Sequence, residues 1–225
     1  MKRNGKTHPN QAGLPRLLEG ACAGISIVSG GVLDAREREA ARRSRLLHAA
    51  IPARYASASL DGCPKGVRDF VDGYGPATMG GIVLHGDVGT GKTYAACAAL
   101  IALADRASVR FATGSTILQE IRSTYGSVSD SEEEVIARYA APRVLVIDDI
   151  GKEQATDWSL SRLFAIIDRR HSRGKLTVYT CQSTGGWLVR RLSVHGDSST
   201  AEAIVDRMRE CASVSFSGPS MRGRR

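Results

Sequence analysis

The sequence predicts an α/β protein: a parallel sheet sandwiched by helices, preceded by a short basic helical N-terminal extension. Two observations carry this. From Gly80 onward short apolar segments alternate with helical ones, and the apolar segments are hydrophobic throughout rather than at every second position. Strands covered by helices on both faces have that continuous character, and parallel neighbours need a crossover, usually a helix, between them. No internal repeat interrupts the alternation.

Residues 1–31 are rich in Gly, Ser, Asn and Pro without lasting periodicity, the pattern of a flexible arm. Residues 33–50 are Ala- and Arg-rich and contain no Gly or Pro; Asp34 is placed to cap a helix, and Glu39 and Arg43 have helical ion-pair spacing. Pro52, Gly62, Pro64, Gly73, Gly75 and Pro76 punctuate a linker that holds one helical candidate at 67–74. Strands follow at 82–85, 109–113, 143–148, 176–181 and 213–216. Helices are expected at 92–104, 115–125, a short stretch ending near Tyr139, 156–170, 187–192 and 200–211.

The chain has 225 residues, of which 42% are hydrophobic, enough for a sizeable core. Its apolar runs are far shorter than the roughly 20 residues that cross a bilayer, so no membrane partner is expected. Five cysteines include no close pair, which argues against a zinc knuckle or a disulfide framework and suits a reduced, cytoplasmic setting. The net charge of +8 is unevenly placed: residues 1–55 carry +6, residues 56–221 carry −1, and Arg222, Arg224 and Arg225 supply the rest. A basic arm on a neutral body points to a polyanion or an acidic protein surface as partner. The expected organisation is a basic arm and helix over 1–55 and a catalytic domain over 56–225.

Gly86-Asp87-Val88-Gly89-Thr90-Gly91-Lys92-Thr93 matches G-x-x-x-x-G-K-[ST] between an apolar strand and a helix. Such a loop curls its N–H groups around a phosphate, and the helix N-terminus adds partial positive charge. Lys92 is expected to reach the β- and γ-phosphates of ATP, and the Thr93 hydroxyl to ligate Mg2+. Val144-Leu145-Val146-Ile147-Asp148-Asp149 places two acids at a strand end, 56 residues beyond Lys92. Asp148 is the expected Mg2+ partner, and Asp149 the group that orients or deprotonates the attacking water. Trp158 and Trp187 are expected as core or inter-helix anchors, and His85 as a strand residue beside the loop. Glu153 could position water or simply lie at the surface.

The segment Asp148-Asp149-Ile150-Gly151-Lys152-Glu153-Gln154, followed by Trp158 and Ile166-Ile167-Asp168-Arg169-Arg170, resembles the AAA+ ATPases of the DnaC/DnaI helicase-loader and IstB transposition-helper group. Together with the leading Ile51-Pro52-Ala53-Arg54-Tyr55, the resemblance covers about three quarters of the chain. It implies a P-loop NTPase of AAA+ type. Within that pattern Gln182 of Thr180-Cys181-Gln182 stands where the group commonly has a γ-phosphate-sensing Asn, so its longer amide takes that role. Ala203-Ile204-Val205-Asp206-Arg207-Met208-Arg209 resembles the segment with an arginine finger, which makes Arg207 a finger for an adjacent subunit of a homo-oligomer. Phe216-Ser217-Gly218-Pro219-Ser220-Met221-Arg222 resembles the terminal segment whose arginine, here Arg222, contacts nucleotide in cis. A guanidinium matches the charge that phosphoryl transfer spreads over the γ-phosphoryl oxygens.

The leading expectation is an ATPase that loads a replicative helicase onto single-stranded DNA and holds the helicase through its N-terminal region. The alternatives are a transposition helper that binds duplex DNA and recruits a transposase, a P-loop small-molecule kinase, and a nucleotide-gated adaptor that barely hydrolyses ATP.

Overall fold

A computed structural model describes residues 35–126, 130–153 and 155–221. The arm at 1–34, the Asp34 cap, Gln154 and Arg222 lie outside the described residues. Five strands, β1 (Gly81–Gly86), β2 (Val109–Thr113), β3 (Val144–Asp148), β4 (Leu176–Cys181) and β5 (Ala212–Phe216), form one sheet in the order β2-β3-β4-β1-β5. Every neighbouring pair is parallel. Among the described residues the helices are α1 (Ala35–His48), α2 (Lys65–Asp72), α3 (Lys92–Leu103), α4 (Gly114–Ser123), α5 (Glu132–Ala140), α6 (Asp157–Ser172), α7 (Gly185–Leu192) and α8 (Ser198–Arg209), with a 3₁₀ turn at Ala53–Tyr55.

The sheet has a core on each face because its strands are apolar on both. Ile82, Leu84, Val144, Val146 and Val178 pack with α1, α2 and α3, whereas Val83, Leu145, Ile147, Tyr179 and Cys181 pack with helices from α4 to α8. α3 lies deepest. Its run Lys-Thr-Tyr-Ala-Ala-Cys-Ala-Ala-Leu is small and apolar around most of its circumference, and Ala95 through Leu100 are all buried. The flanking helices begin on local signals that sequence alone carries: Ser131 with Glu134 on α5 and Thr156 with Ser159 on α6 form reciprocal capping boxes.

The basic helix α1 is built into the body. Ala49, just past α1, is fully buried and its carbonyl accepts the Phe111 N–H at 2.7 Å. Arg42 pairs with Asp105 at 2.9 Å, and Arg45 donates to the carbonyls of Ala104 and Asp105. These contacts hold α1 to the residues that follow α3: Arg45 satisfies two carbonyls there and Arg42 pairs with a carboxylate.

Candidate functional site

The order β3-β4-β1 sets one strand between the glycine-rich loop after β1 and the acidic pair after β3. All three strands point their C-terminal ends the same way, so the chain segments that leave them converge on one rim, where open parallel sheets place their ligands. On β3 the residues facing α3 are Val144, Val146 and then Asp148; on β4 they are Val178 and then Thr180. Two polar side chains therefore meet the start of α3, where Thr93 stands.

The loop itself turns on glycines. Gly91 is the N-cap of α3 with φ +97°, and a Cβ on Gly86, at φ +136°, would overlap the Phe216 carbonyl of β5. Only glycine fits both requirements. Lys92 is 7% exposed and its Nζ donates to the carbonyls of Gly86 and Asp87, both at 2.7 Å. Burial lowers the Lys92 pKa, and Asp149 is the main opposing charge. Thr90 donates to the Asp87 carbonyl and closes the loop from within.

Asp148 is buried, and burial pushes its carboxyl above the usual range while hydrogen bonds from Thr180 and Thr93 pull the other way. Thr93 Oγ1 donates to Asp148 at 2.9 Å, and Thr180 Oγ1 donates to Asp148 Oδ1 at 2.6 Å. Asp149 has a left-handed backbone, φ +58°, and its carboxylate pairs with Lys152 at 2.7 Å. Gly86 N–H donates to the Gln182 carbonyl, which ties the end of β1 to the end of β4.

A cleft of about 460 Å³ brings together Val88, Gly89, Gly91, Lys92, Thr93, Asp149 and Gln182. The same cleft has an apolar end. Tyr55 and Tyr94 meet edge-to-face with centroids 6.5 Å apart, and Arg54 and Met221 complete that side. Met221 N–H donates to the Gly89 carbonyl, so the C-terminal segment lies across the loop.

Arg207 lies elsewhere. It is on α8, bordering a cleft with Gly80, Lys175 and Thr177, which mark the N-terminal ends of β1 and β4. Its guanidinium pairs with Asp168 of α6 at 2.9 Å and lies 5.1 Å over the Phe164 ring. It is therefore remote from this chain's own nucleotide loop. Trp158 is an inter-helix anchor: its Nε1 donates to Tyr125 Oη and its ring lies between Arg122 and Arg162. Trp187 is not a core anchor, since it is 42% exposed on the rim beside Asp149, Lys152 and Gln182. Glu153 is not a surface residue either. It is 6% exposed, accepts the Gly151 N–H at 2.9 Å and has its other oxygen without a partner.

Tyr55, Tyr94, Lys152 and Thr180 are the contributors that motif spacing does not single out. Lys152 had a local signal, three residues after Asp149 on the same turn. Thr180 had a weaker one, a hydroxyl near the end of an otherwise apolar strand.

The fold and the loop agree with what the chain is similar to. Solved structures of the DnaC helicase loader and of DnaI superpose with TM-scores of 0.60 and 0.59 at 24% and 23% identity, covering 74% and 75% of this chain and 100% and 95% of theirs. In sequence the chain is 31% identical over 147 residues to an ATP-binding protein in an insertion sequence of Mycobacterium tuberculosis, 64% of this chain and 56% of that protein. It is 28% identical over 143 residues to the replicative helicase loader DnaC of Escherichia coli, 63% of this chain and 55% of that protein. The chain thus spans little more than half the length of the curated relatives it matches. The family described as IstB-like ATP binding protein matches residues 76–225, from just ahead of β1 to the last residue. A glycine loop on a parallel sheet, a carboxylate one strand beyond its neighbour and this match lead to one conclusion: the chain belongs to the IstB-like ATP-binding protein family.

Proposed function

We propose that the protein hydrolyses ATP at the cleft between the glycine loop and the Asp148–Asp149 pair, and uses that cycle to act on DNA as a helicase loader. The observation that carries the ATPase reading is the convergence of Lys92, Thr93, Asp148, Asp149 and Gln182 at one rim of the sheet. In this reading the loop N–H groups and Lys92 hold the phosphates, Asp149 orients the attacking water and accepts its proton, and Gln182 contacts the γ-phosphate. The apolar end formed by Tyr55, Tyr94 and Met221 takes the base.

The donor set also fits a hard divalent cation, because the Thr93 hydroxyl and the Asp148 carboxylate are adjacent oxygen ligands. Thr93 and Asp148 would hold Mg2+, which when bound neutralises charge on the phosphate oxygens. Arg207 serves the neighbouring subunit of a homo-oligomer, a role supported by its distance from the chain's own loop, and Arg222 acts in cis. The similarity to DnaC supports a replicative helicase as partner, reached through residues 1–55, and single-stranded DNA as the nucleic acid. The similarity to the insertion-sequence protein supports a second reading, a transposition helper on duplex DNA.

The test is ATP hydrolysis with and without DNA. Wild type should release phosphate in the presence of Mg2+, and Lys92→Ala should fall to background. Stimulation by single-stranded DNA favours the loader; stimulation by duplex DNA alone favours the transposition helper. A wild-type protein that turns over no ATP under any of these conditions rejects the enzymatic reading.

A further inference from the structure

Thr180 makes three polar contacts with three successive residues. Its hydroxyl donates to Asp148 Oδ1 at 2.6 Å and accepts the Asp149 N–H at 2.8 Å; its carbonyl accepts the Ile150 N–H at 2.9 Å. The side chain is fully buried, on β4 between the strand that leads to the loop and the strand that ends in the acidic pair. A threonine hydroxyl has one proton to give, and here it goes to a carboxylate oxygen, which leaves Asp148 Oδ1 held by Thr180 at 2.6 Å and by Thr93 at 2.9 Å.

The contacts at 149 and 150 explain a second feature. Asp149 has φ +58°, a left-handed conformation that crowds the Cβ of an L-residue against the following carbonyl oxygen. Successive N–H groups along a strand point to opposite sides, so the N–H groups of Asp149 and Ile150 can both turn to one residue only if the chain bends between them. The Thr180 hydroxyl and carbonyl supply both acceptors. Two residues further on, Gln182 lines the nucleotide cleft with Asp149.

We propose that Thr180 is a positioning residue for the ATPase site, which orients the Asp148 carboxylate toward Thr93 and fixes the bent backbone that aims Asp149 at the cleft. The inference rests on the ATPase reading of that cleft. Thr180 is buried and does not line the cleft; it acts through the Asp148 carboxylate and the Asp149 backbone. Because it stands two residues before Gln182, which lies just past the end of β4, it also joins the residue proposed to contact the γ-phosphate to the group proposed to handle the water.

The experiment compares Thr180→Val, Thr180→Ser and Asp148→Asn by titrating Mg2+ in an ATPase assay and by binding a fluorescent ATP analogue in EDTA. Thr180→Val keeps the shape and removes both hydroxyl contacts. It should lower kcat or raise the Mg2+ concentration for half-maximal rate by about 10- to 100-fold, the usual range when a group supporting a metal ligand is lost. Analogue binding in EDTA should stay within about twofold, since the phosphate loop is untouched, and Thr180→Ser should recover most of the rate. Thr180→Ala removes the same hydroxyl together with the γ-methyl and carries the identical expectation if valine prevents folding. A wild-type Mg2+ response and rate in a folded Val or Ala variant overturns the assignment, as does equal loss in Thr180→Ser or loss of analogue binding in EDTA, which would mean a merely structural role. A different result isolates the underlying reading: if Asp148→Asn keeps the wild-type Mg2+ response, the cleft is not the proposed ATPase site, whatever Thr180→Val does.

Discussion

Glu153 shows how a single side chain can escape a motif-based reading. In sequence it is one more acid after an acidic pair, yet it is buried with one carboxylate oxygen on the Gly151 N–H and the other without a partner against Gly114, the first residue of α4. Burial raises its pKa above the ordinary 4.5. The folded protein then holds a proton that the unfolded chain releases, so stability is greatest below that value and falls as pH rises through the folded-state pKa. Glu153→Gln removes this loss. Melting temperatures measured from about pH 4.5 to pH 8 should show the variant gaining on wild type as pH increases; a difference constant across that range would mean that Glu153 does not titrate in the folded state. Asp148 has the same sign for the same first cause, burial, and the proposed reaction needs it. Asp148→Asn should therefore abolish hydrolysis while leaving the protein at least as stable as wild type at neutral pH, a trade common at active sites.

Among the elements, α6 and β4 are joined by an arginine whose role lies entirely inside the fold. Arg170 is the last residue of the charged run Asp168-Arg169-Arg170, and in the fold it has no solvent exposure. Its guanidinium donates to Thr177 Oγ1 and to the carbonyls of Pro142 and Leu176, with longer bonds to Tyr139 and Ala140. These groups are the end of α5, the start of β3 and the start of β4. Burial lowers its pKa to about 10, which leaves it charged at neutral pH. Replacing it strands several buried carbonyls, each costing about 1–3 kcal/mol. Arg170→Met should lose about 3 kcal/mol or more in urea unfolding, and Arg170→Lys should recover little of this, because three donors on a flexible stem cannot match a planar fork. Recovery by lysine would show that charge matters more than geometry. By contrast Arg169, its neighbour, pairs with Glu133 at the surface, and its loss should be barely measurable.

For the whole molecule the boundary of the basic region decides how its role can be tested. Deleting residues 1–34 leaves α1 docked through Arg42, Arg45 and Ala49, whereas deleting residues 1–50 also strips the Phe111 N–H of its acceptor and opens the core. The shorter deletion should melt within a degree or two of the full chain, and the longer one roughly 5 °C or more below it. Loss of helicase binding in the longer deletion alone would reflect that damage, so the partner assay belongs with the shorter one. Arg207 supplies the test of assembly. It is held by Asp168 far from its own loop, and in a shared site it must come from a neighbour. Mixing Arg207→Ala with Lys92→Ala should restore part of the hydrolysis that each lacks alone, since the two variants lack different halves of one site. No recovery from two folded, associating variants would remove Arg207 from the reaction.

Sequence by itself determined the sheet's composition, the loop from Gly86 to Thr93 and the identity of Asp148, because each depends on residues adjacent in the chain: an apolar run, a glycine spacing, a strand that stops at two acids. Roles for Arg207 and Arg222 follow only from resemblance, and the +8 charge is a property of the ends. Tertiary structure alone decided which side chains meet. Nothing local to residues 176–181 announces that this strand runs between β1 and β3, yet that placement turns Thr180 into a contact of Asp148, Asp149 and Ile150. The same holds for Tyr55 beside Tyr94, for Arg45 at the end of α3 and for Glu153 beneath α4. These contacts bridge residues far apart in sequence or depend on burial, and strand order and burial are settled by how the helices cover the two faces, not by any single segment.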